Sequence, residues 1–263
     1  VLSELGGLDA GPATVGAVLR MQRERFLALI EALPPERWSA PTRCSAWSRH
    51  DVVRHVADVA EIDAARLAGR APRFTVEGGF DPARTPDAWL AASADEGPDE
   101  TAARLRAAVE DERTGFERRI ADGSEEVAIG ATGRPNHWSI VSTHILWDAW
   151  FHERDIEAPT TYDEDEVRLT AMYGILCAAV PAAVVGAPLE AVVVLDRPYR
   201  LSSGDSGITV AEGDGDRPRV EGPPIEVLDA LLGRGPAVAD VLTGDAATIE
   251  QLSWLRAFMA PGT

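Results

Sequence analysis

Five histidines carry most of the chemistry that this chain's side chains can offer: His50, His55, His137, His144 and His152. Three lie in or beside one apolar, aromatic-rich stretch, Asn136 to Glu157, whose periodicity predicts a helix. Within it His144, Asp148 and His152 follow at intervals of four residues. Residues four apart share a helix face and lie about 6 Å apart along the axis. Imidazole and carboxylate at i, i+4 can grip one side of a metal ion. The trio cannot share one ion. Positions 144 and 152 are about 12 Å apart along the axis, whereas ligands at bond lengths of about 2.1 Å lie within ~3–4 Å of each other. Either the His144–Asp148 pair or the Asp148–His152 pair holds the ion, and a third ligand comes from another helix. His55 is the best candidate. His50, five residues earlier, points about 140° away and cannot face the same site. Asp58 and Asp155 are candidate acceptors for the second ring nitrogens of ligand histidines. The same spacing would also serve an ordinary interhelix hydrogen bond.

These residues need elements to position them. A helix is predicted over Ala13 to Leu33, closed by Pro34-Pro35. Ser48-Arg49-His50-Asp51 reads as a capping box, opening a second helix that carries His55 and stops at Gly69. Residues 70–100, rich in Pro, Gly and Asp, read as a long loop with a short helix around Trp89. Thr101 to Ile120 is a third long helix, and the His144 stretch is the fourth. Four helices with one long crossover suggest a four-helix bundle. Trp38, Trp47, Trp138, Trp147 and Trp150 cluster near these segments and read as core.

The second half changes character. Glu166 to Val185 reads as a helix. Strand signals follow at Ala191–Leu195, Tyr199–Ser202 and Ile208–Ala211. Gly213-Asp-Gly-Asp216 reads as a hairpin turn into Arg219-Val220, and Val238–Leu242 as a strand between helices over Pro224–Leu232 and Ala247–Met259. The expected class is α+β, divided into residues 1–160 and 161–263.

Composition removes several alternatives. Acidic residues number 43 against 25 basic ones, a net charge of −18, and every basic residue is Arg. A chain this acidic is a poor nucleic-acid binder and a poor ligand for anionic membrane surfaces. With no Lys, Schiff-base and Walker-lysine chemistry is excluded, and fixed positive charge must come from Arg or a metal. Arg in place of Lys, with abundant Ala, Gly and Asp, points to a GC-rich genome. Cys44 and Cys177 form no CxxC, so neither a disulfide framework nor a thiolate zinc site is expected. The beginning of the chain has no basic, apolar leader pattern, and no uncharged apolar run reaches 18 residues. A cytoplasmic protein, monomer or homodimer, without membrane or nucleic-acid partner is expected.

The stretch from Trp38 through Pro41-Thr42, Cys44 and Trp47 to His55 resembles the first signature of the mycothiol-dependent maleylpyruvate isomerase family. That family belongs to the DinB-like group of metal-binding four-helix bundles. The stretch from His144 through Asp148 and His152 to Asp155 is similar to its second signature. The resemblance implies His55, Asp148 and His152 as metal ligands. It departs at Asp148, where the family commonly has Glu. The shorter side chain would draw the ion closer to the helix or surrender that ligand to water, with His144 as the fallback. The resemblance extends more loosely over Ile225–Val238 and Leu242–Asp245, similar to the family's sterol-carrier-like C-terminal domain. It implies an active-site Arg there, for which Arg234 is the candidate. The implied cofactor is a divalent metal, zinc first, with nickel, iron or manganese also suited to two nitrogens and one carboxylate. The implied cosubstrate is mycothiol, in keeping with an actinobacterial source. Its thiolate, stabilised by the ion, would add to an activated double bond for cis–trans isomerisation or displace a leaving group for S-transfer. The substrate would be a small electrophile, including an anionic one whose carboxylate an Arg can hold. A DinB-like hydrolase using metal-bound water, and a non-catalytic small-ligand-binding protein, are the alternatives.

Overall fold

A computed structural model describes residues 7–74, 81, 84–129, 135–204 and 207–259. Parts of the predicted 70–100 loop, residues 75–80 and 82–83, lie outside the described residues. The elements are β1 (Gly7–Leu8), α1 (Pro12–Glu31), a 3-10 turn (Pro35–Arg37), α2 (Arg49–Leu67), α3 (Thr85–Ala92), α4 (Pro98–Ala121), β2 (Val127–Ile129), β3 (Pro135–His137) and α5 (Trp138–Ile156). They continue with α6 (Glu164–Val184), β4 (Leu189–Val194), β5 (Pro198–Gly204), β6 (Gly207–Glu212), β7 (Arg219–Glu221), α7 (Pro224–Leu231), α8 (Val238–Val241), β8 (Thr243–Gly244) and α9 (Ala246–Met259). The chain forms two compact units. One comprises Gly11–Gly133 and His137–Thr161, and the other Val1–Ala10, Arg134–Asn136 and Tyr162–Thr263.

The first unit is a bundle of α1, α2, α4 and α5 with the short α3 beside α2. Pro12, whose missing N–H costs nothing in a first helical turn, opens α1. Its buried face is Val15, Val18, Leu19, Phe26 and Ile30. The predicted capping box opens α2. The Asp51 N–H donates to Ser48 Oγ (3.2 Å), and the Ser48 N–H donates to Asp51 Oδ2 (2.9 Å). Phe26, Val52, Val56 and Leu105 meet in the core with no exposure. Helix α4 lies tight against α2 because Gly115 has no side chain: a Cβ there would stand 2.6 Å from Leu67 Cβ. Two buried ion pairs join helices in this unit. Arg23 donates twice to Glu112 (2.9 and 3.0 Å), and Arg25 twice to Glu153 (2.6 Å each).

The second unit is a six-stranded sheet in the order β1-β6-β5-β4-β7-β8, packed on by α6 and α9. Strands β4, β5 and β6 form an antiparallel meander, with Val192 opposite Arg200 and Leu201 opposite Val210. The unit also takes in β1 from the start of the chain, parallel to β6. Two expectations fail here. The 213–216 turn is not a hairpin: β7 lands beside β4, parallel to it, so the segment after β6 crosses the sheet end. Val238–Leu242 is not a strand. Asp240 Oδ2 accepts the Ala237 N–H (3.3 Å) and starts the one-turn helix α8, leaving Thr243–Gly244 to pair with β7. Helix α6 is long and apolar enough to cross a membrane by length and composition alone. Most of it is buried within its own unit, where it packs on α9 and β6, as a core helix does. Cys44 and Cys177 are both free thiols.

Candidate metal centre

Helix α5 begins at His137, whose Nδ1 accepts the Ser139 N–H (3.3 Å) as an N-cap. From there the helix runs through the bundle against α1 and α2, which buries nearly every residue it has. Ile145, Asp148 and His152 follow one face of it, and His55 faces them from α2. Asp148 Oδ2 stands 3.6 Å from His55 Nε2, and Asp148 Oδ1 3.7 Å from His152 Nε2. One donor atom from each of the three residues lies within 4.8 Å of the others. Asp148 therefore reaches both imidazoles despite its short side chain. His144, one turn earlier, is outside this set among the described residues.

The ring nitrogens are arranged for ligation on one side. His152 Nδ1 is 3.1 Å from Asp155 Oδ2, a carboxylate with no exposure. An Nδ1–H held there leaves the Nε2 lone pair turned toward Asp148. The parallel expectation for Asp58 fails. Arg104 takes its Oδ1 at 2.7 Å, because two further carboxylates, Glu96 and Glu61, anchor the guanidinium between α2 and α4. His55 Nδ1 is buried with no hydrogen-bond partner.

Charge inside the cluster is strongly coupled. Burial opposes ionisation of Asp148, but His152 and His55 beside it overcome this and hold its carboxyl well below the usual range. Burial, joined by Arg66 and His55, pushes the His144 imidazole toward its neutral form. Asp148 Oδ2 is itself buried without a hydrogen bond. An ionised carboxylate oxygen left so is costly unless a cation meets it. Two imidazoles, one carboxylate and an unsatisfied buried oxygen fit a divalent ion with at least one open position.

Aromatic rings wall the cluster. Trp47 stacks on His152 with centroids 5.6 Å apart and tilts against His55 at 5.0 Å. It is therefore a wall of the site and not simply core, which corrects the sequence expectation. Its place is fixed by the turn before α2. Thr42 Oγ1 accepts the Cys44 N–H (3.1 Å), the Thr42 hydroxyl reaches the Trp47 carbonyl (2.9 Å), and the Trp47 indole donates to Asp87 Oδ1 (3.2 Å). Trp38, Trp138, Trp147 and Trp150 are buried as expected. Trp89 on α3 stacks over His55 at 6.5 Å and on Phe74 at 5.4 Å. Sequence reasoning places a short helix around Trp89 but gives it no role, because its partner is 34 residues away in the chain.

The other expected residues lie elsewhere. His50 Nε2 pairs with Thr101 Oγ1 (2.9 Å), and His137 caps α5. Arg234 is in the second unit, half-buried in the turn after α7, where Nη1 donates to the Leu232 carbonyl (3.3 Å).

Residues 19–157, more than half of the chain, match the mycothiol maleylpyruvate isomerase N-terminal domain. The chain belongs to that family. It is a family of enzymes, and the α+β class with a helical N-terminal part is that of its solved members. A crystal structure of a mycothiol-dependent maleylpyruvate isomerase aligns over 90% of this chain and 94% of that one, with a TM-score of 0.60 and 16% identity. A histidine-to-alanine mutant of such an isomerase aligns over the same shares with a TM-score of 0.62 and 16% identity. Among curated proteins none matches the sequence.

Proposed function

We propose that this protein is a metal-dependent enzyme that uses mycothiol as thiol cosubstrate, for S-transfer to, or isomerisation of, a small electrophile. The observation that carries the reading is the approach of His55, Asp148 and His152 to within 4.8 Å of one another in a bundle of this family. A divalent ion on these residues, zinc first, would supply a Lewis-acidic centre that keeps a thiol ionised near neutral pH.

The chain's own residues do the rest. Asp155 fixes the ring plane and tautomer of His152, so that Nε2 is presented as a lone pair. Asp148 brings one negative charge against two neutral imidazoles, a set that leaves net positive charge for an anionic sulfur. Trp47 and Trp89 exclude water around the donors, which strengthens each electrostatic contact. Arg234 is our candidate from the second unit for a substrate carboxylate. The protein works in the cytoplasm with small molecules, without nucleic acid or membrane.

Metal analysis of purified protein tests this. Wild type should hold about one divalent ion per chain, and His55→Ala and His152→Ala should each lose most of it, since two remaining donors chelate weakly. Full retention by both variants would refute the site. Catalysis of maleylpyruvate isomerisation or thiol conjugation in mycothiol, but not in its absence, would separate this reading from hydrolysis.

A further inference from the structure

Helix α3 sets both aromatic walls of the metal centre. It has eight residues, too few to be stable as a helix alone, so its place depends on what it is tied to. Its buried face is Pro86, Trp89 and Leu90, with Trp89 stacked over His55. Its exposed side carries Asp87, which accepts the Trp47 indole N–H (3.2 Å). Trp47 in turn lies against both His55 and His152.

The far end of α3 is tied by Arg54. Arg54 Nη1 donates to the carbonyls of Leu90 (3.1 Å) and Ser93 (2.6 Å), where the helix ends, and Nη2 donates to Asp51 Oδ1. A guanidinium there bonds the last carbonyls and meets the negative end of the helix dipole. Arg54 is buried, so these charge-assisted bonds are shielded from water. Asp51 is fixed in turn by the capping box of α2, where its Oδ2 accepts the Ser48 N–H (2.9 Å) and hydroxyl (2.6 Å). Successive residues of a helix point about 100° apart, so α2 turns Arg54 to α3 while its neighbour His55 faces Asp148 of α5. The contacts close a ring. It runs from the Ser48–Asp51 box through Arg54 to the end of α3, along α3 to Asp87, across to Trp47, and back along the chain to Ser48. The donor set is His55, Asp148 and His152, and α3 contributes nothing to it among the described residues.

We propose that α3 is a latched cover over the His55 side of the metal centre, and that Arg54 is the positioning residue that holds it shut. The assignment rests on the metal reading above and adds control of access to it. A cover that supplies no donor sets rates. The ion enters and leaves while α3 is lifted, so a more weakly held α3 speeds uptake and release by the same factor and leaves affinity nearly unchanged.

Metal-free full-length protein would be mixed with cobalt(II) in a stopped-flow cell, and cobalt-loaded protein with excess EDTA. Cobalt absorption reports both rates, an equilibrium titration gives Kd, and a thermal melt checks the fold. Arg54→Gln should raise uptake and release together by about tenfold or more, with Kd within about twofold of wild type. Arg54→Lys, which keeps a cation and donors, should restore part of the slow exchange. Asp87→Ala, an exposed change at the other latch, should raise both rates by about threefold. Unchanged rates in either folded variant would overturn the assignment. So would faster release matched by lost affinity with uptake unchanged, which would make Arg54 a support of the donors themselves. Should Arg54→Gln fail to fold, Asp87→Ala decides alone. Failure of wild type to take up cobalt would overturn the metal reading, and this assignment with it.

Discussion

Replacing Asp155 by Ala should weaken metal binding without unfolding the bundle. The carboxylate is fully buried and receives His152 Nδ1 at 3.1 Å, so the bond is charge-assisted and shielded from water. Such a bond contributes about 1.5–3 kcal/mol net. Its loss leaves the His152 ring free to change tautomer and to rotate, and it lowers the basicity of Nε2. If most of that energy orients the ligand, affinity falls by about 10- to 100-fold, the range typical of acceptors behind ligand histidines. Asp155→Asn, which keeps an acceptor oxygen but no charge, should fall between. Asp58→Ala is the control. Asp58 is equally buried on the α2 side of the site, yet its bond goes to Arg104, which keeps Glu96 at 2.7 and 2.9 Å when Asp58 is gone. Zinc affinity measured by competition with a chromophoric chelator, beside a thermal melt of each variant, decides the matter. The reasoning fails if Asp155→Ala binds zinc as wild type does, or if Asp58→Ala loses as much as Asp155→Ala.

Two further outcomes follow. Burial, with Glu112 adding to it, raises the Asp63 carboxyl to about 7, against Arg66, Arg23 and the Ser142 hydroxyl, which lower it. The folded protein then holds this proton up to about pH 7 and the unfolded chain releases it near ~4, so stability declines as pH rises between those values, by about 4 kcal/mol in total from this group. Asp63→Asn should flatten that part of the stability–pH curve from denaturant titrations, and an unchanged slope would contradict it. If Arg234 holds a substrate carboxylate as proposed, Arg234→Ala should leave zinc and thiol binding intact while raising KM for a carboxylate-bearing substrate, and an unaltered KM and kcat would refute that role.

The bundle was legible because its signals are local. Pro12, the Ser48–Asp51 box and the apolar periodicity of α1, α2, α4 and α5 each act within a few residues, and the elements lie within a few residues of where those signals set them. Helical spacing also showed that His50 could not join His55. What spacing could not show was the choice between His144 and His152, which depends on the offset between α2 and α5. The aromatic wall was hidden for the same reason: Trp47 and Trp89 reach the histidines through a folded turn and a short helix. In the second unit the strands of the meander were readable by alternation. The landing of β7 beside β4 was not, since a Gly/Asp-rich segment signals a turn without saying how far the chain travels after it.

Charge pairing explains why Asp148, among many buried acids, is the one poised for a metal. This chain has 43 acidic residues and only arginine to answer them, and inside the bundle the answers are specific. Glu112 is held by Arg23, Glu153 by Arg25, and Asp58 by Arg104. Bidentate guanidinium pairing uses up both oxygens of Glu112 and of Glu153, and Arg104 answers the charge of Asp58 through its Oδ1. Asp148 is faced instead by two imidazoles, a side-chain type that can itself ligate a metal ion. A guanidinium in place of either histidine would make the same carboxylate a structural one. The prediction is direct: His55→Arg should bind no metal, yet it should keep the fold more stable than His55→Ala does, because an Arg–Asp148 pair would form where the ion belongs. Equal melting temperatures for the two metal-free variants would contradict this account of the site's electrostatics.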